Sequence, residues 1–280
     1  MAADIKSLRT RIRSVDSTLH LTRAMGLVAA SKIRRATRTM NQSREYAGAL
    51  EDVLAVLRSS PDCERTPYMR PTGEGTRLIV IAGDRGLAGG YNANVFRLAA
   101  TVPDAEVIPI GKRACDRYGK PTVSSEKYPA TEAKKLADEL CRDFLDGKFG
   151  RLGILYTRYR SMMSQEATLL WVLPLTKEAA VNPAGDGAKK DAGESAGTAP
   201  VFEPNEQTVL NAAVPTYVSG LLAACVRESF ACEVAARRMA MDSAGKNAQE
   251  MIDRLQLQYN RARQNSITQE ITEIVAGSGL

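Results

Sequence analysis

Over the first sixty positions apolar residues recur at Ile5, Leu8, Ile12, Val15 and Leu19. These alternating steps of three and four mark the seam of a two-stranded coiled coil. The seam then turns small, through Ala24, Gly26, Ala29, Ala30 and Ala36, and no proline interrupts it before Pro61. The spacing predicts a helix from about residue 4 to about residue 58, roughly 80 Å at 1.5 Å per residue. An isolated Gly26 costs about 1 kcal/mol in a helix interior, which a closely packed partner offsets. Such a partner is available at the other end of the chain. No proline follows Pro215, and Ala244, Ala248, Met251, Leu255, Ala262, Ile267, Ile271 and Ile274 again recur at threes and fours. About 60 residues of helix there span on the order of 90 Å. Neither apolar stripe is wide enough for a helix buried all round, so the two are expected to cover each other as a long antiparallel coiled coil.

Between the helices the period changes. Short apolar runs at 77–82, 106–110, 152–157 and 168–173 read as strands, and 92–101, 112–118 and 131–146 read as helices. Strand and helix in alternation predict a small α/β, Rossmann-like domain with a mainly parallel sheet. The fold class is therefore α/β, with the coiled coil of the N- and C-terminal helices added. The chain divides into an N-terminal helix at 1–60, an α/β domain at 76–178, a C-terminal helix at 206–280 and, before that last helix, the segment 179–203. That segment contains "VNPAGDGAKKDAGESAGTAP", rich in Gly and Ala and without periodicity, and reads as a flexible surface insertion.

The run "LIVIAGDRGLAGGYNANVF" at 78–96 has the order strand, glycine loop, helix, which is also the order of a phosphate cradle. Its loop holds Gly83, Asp84, Arg85, Gly86, Gly89 and Gly90. A Walker-type loop needs a lysine and a hydroxyl after the last glycine, whereas Tyr91 and Asn92 follow here. A dinucleotide fingerprint needs a different glycine spacing and an acidic residue closing the next strand, whereas Ile110, Gly111 and Lys112 close it. The loop is expected to turn the chain tightly, with Asn92 or Asn94 capping the helix and Asp84 free to pair with Arg85 in solvent. No cofactor is expected. Serine nucleophiles lack a base and no paired carboxylates stand out, so no catalytic site is expected either.

The chain has 280 residues, 44% of them hydrophobic, and no window of about 20 uninterrupted apolar residues that would span a membrane. Its beginning lacks the apolar core of a secretory signal, which places it on the cytosolic side. The five cysteines, Cys63, Cys115, Cys141, Cys225 and Cys232, form no CxxC pair, and His20 is the single histidine. Reduced thiols and no metal site follow. Cys225 and Cys232, seven apart, share a helix face as core residues. The formal net charge is +6. Residues 1–40 carry nine Lys or Arg against Asp4 and Asp16, a net of +7. Such a segment suits an acidic protein, an anionic membrane or nucleic acid. Against nucleic acid, it lacks interleaved aromatics, and residues 226–280 balance seven basic with seven acidic side chains.

Four stretches carry a family resemblance: "LTRAMGLVAASKIRRA" at 21–36, "GDRGLAGGYNANVF" at 83–96, "EPNEQTVLNAAVPTYV" at 203–218, and the run at 235–277 containing "QLQYNRARQNSITQEITEIV". They resemble the gamma subunits of F-type ATP synthases, in the same order and at the same spacing. Residues 180–201 depart from the family, Ala88 stands where a cysteine is common, and Gly26 replaces a longer side chain. The resemblance implies a non-catalytic rotating central shaft, one copy per complex, coupling ion flow to ATP synthesis or hydrolysis. Its partners would be the alpha and beta subunits of the catalytic ring, the epsilon subunit and the membrane rotor ring of c subunits, with no nucleic acid. Shaft contacts carried over by motif position are Met25 and Lys32 in the first helix, and Arg237, Gln264, Thr268, Glu270 and Glu273 in the last. The basic first helix would meet an acidic loop of the beta subunits. The absence of a transit sequence and of an inserted cysteine pair points to a bacterial form, peripheral at the cytoplasmic face of the cell membrane. A basic nucleic-acid-binding coiled coil and a small nucleotide-binding enzyme are the competing classes. The latter requires tight ATP binding by the isolated chain.

Overall fold

The computed structural model describes residues 2–70, 73–176 and 202–279. The insertion expected at 179–203 falls, up to residue 201, outside the described residues. In chain order the elements are α1 (Ala2–Ser59), β1 (Thr76–Ile81), α2 (Tyr91–Ala99), β2 (Glu106–Ile110), α3 (Lys112–Tyr118), α4 (Ala130–Leu145), β3 (Arg151–Tyr159), β4 (Gln165–Leu173) and α5 (Glu206–Gly277). All the expected strands and helices are present, with ends moved by up to three residues. Pro215 lies inside α5 without ending it. The chain forms two compact units, residues 31–236 and residues 1–30 with 237–280, and α1 and α5 contribute to both.

In the first unit the sheet order is β2-β1-β3-β4. β1 runs parallel to both β2 and β3, and β4 closes the sheet as the antiparallel arm of a hairpin with β3. Both faces are covered, so β1 is a continuous apolar run, as a strand buried on both sides must be. Side chains alternate across it. Ile79 and Ile81 face a large core shared with Ala137, Leu140 and Phe144 of α4, Leu54 and Leu57 of α1, and Val218, Leu221 and Leu222 of α5. Leu78 and Val80 face a smaller core with Val95 of α2 and Ala114 of α3. The most apolar window of α5 is 56% buried, because this part of the helix supplies core. Cys225 and Cys232 are buried on this helix, each at most 1% exposed, and burial pushes both thiols well above their ordinary pKa.

Two acids sit on the same buried stretch of α5, Glu228 and Glu233. Arg44 of α1 donates to both oxygens of Glu228, at 2.5 and 3.2 Å, and to the carbonyl of Tyr159 at 3.0 Å. The Tyr159 amide donates to the same carboxylate at 2.7 Å. The forked guanidinium therefore joins α1, α5 and the end of β3 at one point. Burial works against the Arg44 charge, but the Glu228 bonds outweigh it and raise the pKa above the ordinary arginine value.

The second unit is an antiparallel helix pair. Gly26 faces Met241, Thr22 and Leu19 face Gly245, and Leu19 and Val15 cluster with Ala248 and Ile252. This register corrects the seam in three places. Ala24 and Met251 point outward, while Thr22, at 8% exposed, and Ile252, at 5%, occupy the interface. Thr22 is tolerated there because its hydroxyl donates to the Leu19 carbonyl at 2.9 Å. Finally, Ile267, Ile271 and Ile274 are exposed rather than zipped. Extended at this register, α1 brings Ile5 opposite about Ala262, so these isoleucines lie beyond its reach.

Candidate functional site

The glycine loop is occupied by the protein itself. The Glu233 carboxylate, 2% exposed, accepts from the amides of Asp84 and Arg85, both at 3.3 Å. These are the donors that a phosphate would need. Gly83 leaves room for that carboxylate, since a Cβ at residue 83 would come within 2.7 Å of Glu233 Cδ. Gly89, with φ 56°, makes the turn into α2. Asn92 does not cap α2. It reaches back across the loop, accepting from the Gly83 amide at 2.9 Å and donating to the Arg85 carbonyl at 3.4 Å, while Gly90 stands at the cap position with no side-chain bond. Asn94 does not cap it either; its side chain accepts from Arg97 at 3.4 Å.

Asp84 does not pair with Arg85. Its Oδ1 accepts from the amides of Lys112 and Ser125 at 3.1 and 2.9 Å, and its Oδ2 from the Ser124 hydroxyl at 2.5 Å and the Glu126 amide at 3.1 Å. Burial alone would raise its pKa, but these four bonds to the charged form hold it below the usual carboxylate value. Arg85 lies 4.0 Å from Glu126 instead. The loop is thus a corner, held by Glu233 on one side and holding the 124–126 segment on the other. Residues 83–86, 89 and 90 lie together in this loop. Glu233, Asn92 and Ser124, which hold the arrangement, carry no local sequence signal for it.

The residues expected to touch partners are distributed differently. Met25 and Arg237 are half-buried. Lys32 is engaged within the chain, its Nζ 2.5 Å from Glu126 Oε1. Gln264, Thr268, Glu270 and Glu273 are all exposed. Their bonds stay on their own helix: Thr268 donates to the Gln264 carbonyl at 2.9 Å, Ser266 to Glu270 at 3.4 Å and Gln269 to Glu273 at 2.8 Å. By the register, Met25 lies opposite about residue 242, so Gln264 sits about 33 Å farther along α5. The set is spread along two helices and does not converge, which suits an extended protein surface and no small substrate.

The family model described as ATP synthase matches residues 4–279. The chain is 37% identical to the ATP synthase gamma chain of Geotalea daltonii, with 99% of this chain and 98% of that one covered. It is 35% identical to the ATP synthase gamma chain of Picosynechococcus, at 98% of both. The chain belongs to the ATP synthase gamma-chain family. It is accordingly a central-stalk subunit of ATP synthase, part of a membrane-associated complex, with no catalytic site of its own. The same fold occurs in solved mitochondrial ATP synthases. A chain of the Euglena gracilis OSCP/F1/c-ring assembly superposes with a TM-score of 0.65 at 18% identity, covering 99% of this chain and 94% of that one. A chain of the Euglena gracilis rotor gives a TM-score of 0.63 at 19% identity, covering 95% of this chain and all of that one.

Proposed function

We propose that this gamma chain transmits torque between a membrane ring of c subunits and a catalytic ring of alpha and beta subunits, working at the cytoplasmic face of a bacterial membrane. In this reading residues 1–60 and 206–280 are the shaft, and residues 76–178 are the part that meets the epsilon subunit and the rotor ring. Met25, Lys32, Arg237, Gln264, Thr268, Glu270 and Glu273 face the alpha and beta subunits. Gly83, Asp84, Arg85, Gly86, Gly89 and Gly90 are structural.

One observation carries the proposal. The helix pair of residues 1–30 and 237–280 leaves large apolar side chains in water on its outer faces, among them Leu27 at 72% exposed and Ile274 at 69%. Large apolar side chains left in water at several points along the two helices suit contact with a protein partner. An antiparallel pair suits torque, because each helix is hydrogen-bonded along its length and locked to the other through its seam. Its faces differ, so beta subunits around it would meet different surfaces and be biased toward different conformations. The test is reconstitution with alpha and beta partners, with a bead fixed to the α/β part of this chain. Unidirectional rotation driven by ATP is the expected result. A complex that assembles and hydrolyses ATP with the bead stationary would refute the proposal.

A further inference from the structure

The torque reading leaves one cavity of the α/β unit unused. A pocket of about 440 Å³ opens among α1, the segment preceding α4, and α5. Four cations line it, Lys32, Arg35, Lys127 and Arg227, against the single carboxylate of Glu126, leaving a charge of +3. Lys32 is paired with Glu126 at 2.5 Å. Arg227 gives one bond to the Ser43 hydroxyl at 2.7 Å and keeps its other donors. The side chains of Arg35 and Lys127 have no hydrogen-bond or ion-pair partner among the described residues. Ser125, 4% exposed in the same wall, has a hydroxyl without a partner there. The buried donor without an acceptor is unfavourable, and an anion would also find attraction from the cations, of which Arg35 and Lys127 are exposed.

The other lining residues narrow the class. Ala36, Val226, Phe230 and Tyr128 supply an apolar surface beside the cations, so the pocket has one charged side and one that favours carbon. Two guanidinium groups and an ammonium offer more donors than one carboxylate can accept, and guanidinium forks match phosphoryl oxygens. A volume of 440 Å³ exceeds what a bare ion fills and lies within the range of small-molecule sites.

We infer that this pocket binds a small organic phosphate, with the phosphoryl group on Arg35, Lys127 and Arg227 and the organic part against Phe230 and Tyr128. The site is separate from the glycine loop, whose amides Glu233 fills. A dianion would leave the pocket near +1. Nucleotides of the synthase reaction and other phosphate esters of the cell share this chemistry.

Calorimetric titration of the purified full chain with inorganic phosphate, ADP and glucose 6-phosphate tests the inference, independently of the torque proposal because no partner subunit is present. The expected result is saturable, millimolar binding of inorganic phosphate and roughly tenfold tighter binding of at least one ester, reflecting one added packing or hydrogen-bonding contribution. ADP tighter than glucose 6-phosphate would identify a nucleotide site. Equal affinity would identify a general phosphate-ester site. Arg35→Ala and Lys127→Ala should each weaken binding about tenfold. Arg34→Ala, an exposed neighbour outside the pocket, should leave it unchanged. No saturation by any of the three ligands at about 10 mM, a range well above a millimolar dissociation constant, would overturn the inference. So would an Arg34→Ala loss as large as that of Arg35→Ala, because the attraction would then belong to the basic helix as a whole.

Discussion

Glu233 turns a loop that could hold an anion into one that already holds one. Its replacement by Ala leaves the part-buried amides of Asp84 and Arg85 without their acceptor, so the variant should lose about 1 kcal/mol of stability. Both amides should then exchange hydrogen faster. Unchanged exchange over residues 83–90 would show that the carboxylate does not hold the loop. Gly83→Ala tests the same contact from the other side, because its new Cβ would meet Glu233 Cδ at 2.7 Å. As an overpacked contact it should cost about 1–3 kcal/mol. Asp84 adds a pH signature. Its folded pKa lies below the unfolded one, so its stabilisation is complete above the unfolded value near pH 4 and is lost as pH falls through the folded value. Asp84→Asn should therefore be less stable than the parent at pH 7, with a gap that narrows below about pH 4. A thermal-midpoint difference constant down to pH 3 would contradict this (about one unit below that range).

At the scale of elements, the helix pair was largely legible in the sequence, since steps of three and four survive translation into structure with few exceptions. Two of the three exceptions share a cause. Where a stripe is sparse, nearby residues compete for the interface, and the partner's register decides between them. Met251 lost to Ile252 and Ala24 to Thr22 in this way. Ile252→Ala should accordingly cost about 2–4 kcal/mol, whereas Met251→Ala should fall within about 0.5 kcal/mol of neutral. The strands were legible as short apolar runs, because a strand covered on both faces buries side chains of either parity. The glycine loop was legible as a corner because the phosphate-binding side chains were missing, but its anchor lies 149 residues away from Asp84 and no local pattern points to it. The two seam glycines are open to a further test. A Cβ at Gly26 would sit 3.7 Å from Met241 and one at Gly245 would sit 3.7 Å from Thr22, both ordinary contacts. Gly26→Ala and Gly245→Ala should each stabilise the chain by up to about 1 kcal/mol from helix propensity. A loss in either would mean that the helices approach more closely there in solution.

At the scale of the whole molecule, stability and function are expected to separate at the C-terminal end of α5. Ile267, Ile271, Ile274 and Val275 are 46%, 56%, 69% and 64% exposed, and α1 does not reach far enough to cover them. They contribute little to the isolated fold, so replacing the three isoleucines with Gln, a better helix former, should leave its thermal midpoint nearly unchanged. A partner that encloses this end would bury each isoleucine, at about 1.5–3 kcal/mol for a fully covered side chain. The triple variant should therefore assemble less tightly with alpha and beta subunits, showing a dissociation constant raised by a factor of ten or more, while its circular dichroism matches the parent. An unfolded variant would show that the stripe serves the chain's own core. Undiminished assembly would show that the partner surface lies elsewhere along the helices. Only a folded chain with weakened assembly is what an apolar surface kept for another subunit requires, because the free chain tolerates that surface at a cost in solubility and recovers its burial energy on docking.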